Sequence, residues 1–73
     1  MAMDHVRLQE RLDQTELNVS EGKRHVARLR ELVAVLQREG QDIQLAMRLL
    51  QQFEQRAAAH IAERDRLRKE LGL

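Results

Sequence analysis

The chain contains no cysteine and no proline, and Phe53 is its only aromatic residue. Without cysteine there are no disulfides and no thiolate chemistry, which leaves the redox compartment open. So few aromatic side chains argue against an all-β fold, whose strands draw on aromatic and β-branched residues. The three glycines, at 22, 40 and 72, form no phosphate-binding loop. Serine and threonine occur once each, as Ser20 and Thr15, and neither stands in a recognised nucleophile-and-base context, so the chain is not expected to be an enzyme. Charges interrupt every apolar stretch, so no membrane span or signal-peptide core is expected and the cytoplasm is the default location. Thirteen basic side chains nearly cancel twelve acidic ones, which removes the polycation argument for nucleic acid or an anionic membrane.

What is present is helix-forming. Ala, Glu, Lys, Leu and Arg fill 41 of the 73 positions, the usage of long helices and coiled coils. A chain this short has difficulty burying a self-sufficient core, so association with itself or with a partner is expected. The strongest local break is Arg38-Glu39-Gly40-Gln41-Asp42. Gly40 can take the left-handed position that ends a helix, and Asp42 can accept hydrogen bonds from the free N–H groups opening the next one. The expected fold is therefore all-α: one hairpin over residues 1–73, with a helix over 4–39, a turn at 40–42 and a helix over 43–71.

Steps of three and four run through His5, Leu8, Leu12, Thr15, Val19, Gly22, Val26, Leu29, Val33 and Leu36 before the turn. They resume through Ile43, Ala46, Leu50, Phe53, Ala57, His60, Arg64, Leu67 and Leu71 after it. A period of 3.5 residues keeps one mostly apolar seam facing a neighbouring helix, as in a coiled coil. A short turn makes the helices antiparallel, with facing positions whose indices sum to about 83. That register sets Val33 against Leu50, Leu29 against Phe53, Gly22 against His60, Thr15 against Leu67 and Leu12 against Leu71. It also lays Glu10, Asp13 and Glu16 beside Arg64, Arg66, Arg68 and Lys69. Glu63 with Arg66 and Asp65 with Lys69 add support within the second helix. Residues 18–22, Asn-Val-Ser-Glu-Gly, could cap a separate helix start, but the heptad phase passes through them without a skip. A continuous first helix with a soft spot at Gly22 is the expectation.

Six apolar side chains fall off the seam: Leu17, Leu32, Val35, Leu45, Leu49 and Ile61. Leu32, Val35, Leu45 and Leu49 gather near the turn, and an apolar patch of that kind on a small protein usually marks an interface. A homodimer that pairs two hairpins into a four-helix bundle is the expected solution. An unidentified protein offering a matching helix face would satisfy the same physics.

The histidines are the residues with ready chemistry near neutral pH. His25 and His60 fall at one level of the hairpin, and a metal-binding bundle using them with Glu21 and Glu63 is the alternative. The Glu-x-x-His spacing of di-iron bundles is absent, so the favoured role is a semi-polar layer, with no metal or cofactor expected. A nucleic-acid accessory role would use the basic stretches at 23–25 and 64–69, but Glu63, Asp65 and Glu70 interleave with them and no aromatic platform for bases exists. A membrane-surface helix is disfavoured because the facing helix already claims the apolar side.

The string His25-Val26-Ala27-Arg28, Glu31-Leu32-Val33, Leu36, Gly40, Asp42, Ala46, Leu49-Leu50, Phe53-Glu54, His60, Arg64-Asp65-Arg66-Leu67 and Glu70-Leu71 resembles short bacterial proteins of about this length with no assigned activity. The resemblance covers residues 20–71. It implies a helical hairpin of unknown function and brings no catalytic or binding residues with it.

Overall fold

The computed structural model describes residues 2–73, with side chains from Asp4 onward; Met1 lies outside them. Two helices, α1 (Ala2–Arg38) and α2 (Gln44–Glu70), pack against each other as a hairpin. Its dimensions are 58 × 15 × 14 Å, set by the 37 residues of α1 at about 1.5 Å each. The radius of gyration is 16.6 Å, against about 11 Å for a compact domain of this length. With only one layer of contact, each helix keeps much of its circumference in water.

Gly40 ends α1 as its sequence context predicts. At φ 71° it occupies the left-handed region. Its N–H donates to the Gln37 carbonyl at 3.1 Å, and the Gln41 N–H donates to the Leu36 carbonyl at 2.9 Å. This pair of bonds is the Schellman arrangement, which satisfies carbonyls that the end of a helix leaves free. On the far side of the turn the Asp42 carboxylate accepts the Gln44 N–H at 2.9 Å. Gly72, at φ 78°, repeats the stop after α2: its N–H reaches the Lys69 carbonyl, and the Leu73 N–H reaches that of Arg68.

Every buried residue is a seam residue: Leu12, Thr15, Val19, Val26 and Val33 on α1, and Ala46, Leu50 and Leu67 on α2. Leu29, Leu36, Ile43, Phe53 and Ala57 pack against the part of this core nearest the turn. The hydroxyl of Thr15 is satisfied locally, donating to the Arg11 carbonyl at 2.8 Å. His5, the first seam position, is exposed, so the seam opens at the chain's N-terminal turns.

No interruption divides α1 at residues 18–22. Gly22 is instead a point of close approach, and it faces Ala57 rather than His60. A Cβ at position 22 would lie 3.6 Å from the Ala57 Cβ, an ordinary van der Waals contact. Gly22→Ala is therefore expected to stabilise the fold by about 0.5–1 kcal/mol, because it removes the backbone entropy of a mid-helix glycine without a clash. A thermal or urea melt measures this, and a lowered midpoint would show that the helices cannot give even slightly at this level.

The register is set by cross-helix contacts on either side of the seam. Arg30 meets Glu54 at 3.5 Å on one flank, and His25 meets Phe53 on the other. Their indices sum to 84 and 78, centred on about 81 rather than 83. Among the described residues, no ion pair joins Glu10, Asp13 or Glu16 to the basic residues at 64–69. The open end is instead tied by Arg11 to Glu63 at 3.3 Å, with Arg66 bridging Glu63 and Glu70 at 2.8 Å each. Asp65 pairs with its neighbour Arg64 rather than with Lys69.

Candidate functional site

The hairpin has two flanks. At 100° per residue, the seam of α1 is bordered on one side by Lys23, Ala27 and Arg30, and on the other by Asn18, His25 and Leu32. For α2 the corresponding borders are Glu54, Ala58 and Ile61, and Leu45, Leu49 and Arg56. The surface grooves follow this division.

On the histidine flank, a shallow groove of about 210 Å³ is lined by Asn18, Glu21, Gly22, His25, Phe53, Arg56, Ala57 and His60. The missing side chain of Gly22 and the small one of Ala57 make the depression, and Phe53 is its large apolar surface. The His25 ring stands edge-on to Phe53, with centroids 5.7 Å apart at 72°. The Arg56 guanidinium lies 5.7 Å from the same ring's centre. Edge-to-face and cation–π geometries both match the ring's quadrupole, so these polar groups are held on an apolar surface at little cost. His25 and His60 thus line one groove from different helices, as their level in the sequence suggests. Among the described residues, however, no three His, Cys, Asp or Glu side chains converge as a metal-ligand set.

Nearer the turn this flank becomes apolar. Leu32 is 47%, Leu45 70% and Leu49 38% exposed, and Val35, at 37%, stands one helical step further toward the outer face. These four residues are close in height along the hairpin, and their own chain covers each of them only in part. The other two off-seam residues are placed elsewhere. Leu17 is exposed on the outer face of α1, fifteen positions and about 22 Å from Leu32. Ile61 is half-buried in a groove of about 350 Å³ on the opposite flank, with Lys23, Ala27, Arg30, Glu54 and Ala58 around it. Val6 and Leu73 are exposed as well. Both lie near the chain ends, where the periodic pattern gives no partner for them.

The electrostatic feature of the open end is Glu63. Hydrogen bonding from Arg66 lowers its carboxyl from the ordinary value; desolvation opposes this, and the charges of Arg66 and Arg11 add to the lowering. The reciprocal interaction raises Arg66. This is a surface ion-pair chain that orders side chains.

No helix among the described residues is long and apolar enough to cross a membrane. Compared with known proteins, the chain matches no family, no curated protein and no solved structure.

Proposed function

We propose that this chain is a non-enzymatic interaction module that self-associates through the apolar cluster of Leu32, Val35, Leu45 and Leu49, two hairpins forming a dimeric four-helix bundle. The observation that carries this reading is the surface the fold leaves in water. The chain exposes 5781 Å², about 1,100 Å² more than the ~4,700 Å² that size scaling gives for a folded monomer of 8.6 kDa. A standard interface removes about 800 Å² from each partner. The excess is thus of the size that one docking event covers, and the exposed leucines near the turn are the part with most to gain from leaving water. Full burial of a Leu or Val side chain is worth about 1.5–3 kcal/mol relative to exposure. Four partly exposed ones offer a gain comparable to the whole stability margin of a small domain.

A second copy is the occupant we favour because closed two-fold pairing is the commonest way for a soluble chain to cover one such face. Light scattering with mass determination at low micromolar concentration is expected to give twice the chain mass. A fully helical, monodisperse species at 8.6 kDa would end the proposal, since a hairpin stable alone has no need of the cluster.

A further inference from the structure

The apolar cluster has a symmetry of its own. On α1, Leu32 and Val35 are centred between positions 33 and 34; on α2, Leu45 and Leu49 are centred on position 47. The contacts Arg30–Glu54 and His25–Phe53 set residues whose indices sum to about 81 at the same height. The two midpoints therefore share one level of the hairpin. A two-fold axis crossing the helices at right angles there carries Leu32 onto Val35 of a second copy, and Leu45 onto Leu49. The same operation carries Arg28 onto Glu39.

Arg28 lies in α1 and Glu39 directly follows it, eleven positions and about 16 Å apart, too far to pair within the chain. Arg28 borders the groove beside His25, and Glu39, whose carboxylate accepts from the Gln41 amide at 3.3 Å, stands just past the end of α1. Among the described residues neither takes part in an ion pair within the chain. Resting on the self-association reading, we infer that two copies dock antiparallel across this cluster, their turns pointing in opposite directions, with Arg28 of each beside Glu39 of the other.

The other two-fold arrangement, with both turns at the same end, brings the α1 of one copy over the α2 of the next at equal height. Arg28 then falls within about one helical turn of Arg56 of the second copy, a like-charge approach that opposes docking. The antiparallel arrangement avoids this and converts two unpaired charges per chain into two ion pairs per dimer. The helices overlap from about residue 25 to the turn, roughly 25 Å. His60 and the Arg11–Glu63–Arg66 end stay outside the contact.

A charge swap on the full chain tests the arrangement by sedimentation equilibrium at low micromolar concentration, with circular dichroism confirming that each variant keeps its helices. Arg28→Glu and Glu39→Arg are each expected to weaken self-association about tenfold, because each turns two attractive contacts per dimer into repulsive ones. The double variant, and an equimolar mixture of the two single variants, should both regain affinity close to that of the parent chain. A parent dimer whose affinity neither single variant changes, or is weakened by both but not restored by the swap, overturns the antiparallel arrangement while self-association stands. Tighter association of Arg28→Glu also overturns it, in favour of turns at one end. A monomeric parent chain overturns both this arrangement and the reading on which it rests.

Discussion

Leu49→Glu is expected to weaken self-association by at least a hundredfold and to leave a monomer at low micromolar concentration. Leu49 lies in the apolar cluster, 38% exposed in the single chain. In the dimer that exposed part is covered, so the substitution loses apolar burial and places a carboxylate where water is excluded. A two-fold interface carries the change twice. Full burial of a leucine is worth about 1.5–3 kcal/mol, so covering the 38% exposed part at two sites is worth about 1–2 kcal/mol, roughly tenfold, and the desolvation of two carboxylates carries the loss past a hundredfold. The inner seam is spared, because Leu50 and Val33 face the other way and remain buried. Mass by light scattering reads the result directly. Melting midpoints add a second reading: those of the parent should rise with concentration, whereas those of the variant should not. A variant with the mass and concentration dependence of the parent would remove Leu49 from the interface.

Leu67→Ala acts on the fold itself, and a loss of about 3 kcal/mol is expected. Leu67 is 0% exposed, the one side chain of the described residues that is completely shut away from water. The register places it across from Leu12 and Thr15, both buried. Truncating a fully buried leucine costs about 2–5 kcal/mol through lost transfer energy and the cavity left behind. The upper part of that range applies where neighbours cannot collapse inward, but here only two helices surround the site and they can shift. A domain of this length has only about 4–11 kcal/mol of total stability, so the variant should melt far below the parent in urea or on heating. A change under about 1 kcal/mol would mean that the open end of the hairpin contributes little to the cooperative unit.

The hairpin was legible because two independent signals agree. The heptad seam names the buried residues, and Gly40 with Asp42 names the turn. The exposure of Leu17, Leu32, Val35, Leu45 and Leu49 follows from the same periodicity, since a residue off the seam of a two-helix structure is covered only in part. Register was less legible. At Gly22 the index sum falls by three, from 82 to 79, which moves its partner from His60 to Ala57, and no side-chain pattern encodes that step. Charge was the least legible. Acidic residues near the start of α1 and basic residues near the end of α2 favour antiparallel helices in general, but long flexible side chains choose the nearest partner, so Arg66 takes Glu63 and Glu70 on its own helix and Arg11 takes Glu63 across the seam. For the site, the histidines' common level could be read from spacing, whereas the edge of His25 on Phe53 and the Arg56 contact could not, because they depend on rotamers.

The single seam between α1 and α2 also sets an order of assembly. Val33 and Leu50 are seventeen positions apart along the chain, and Leu12 and Leu67 fifty-five. Closing the longer loop directly costs about 1 kcal/mol more than the shorter, so contacts nucleate beside the turn and propagate outward one heptad at a time. The segment that joins first is the one bearing the exposed leucines, so a nascent chain becomes adhesive before its far end has closed.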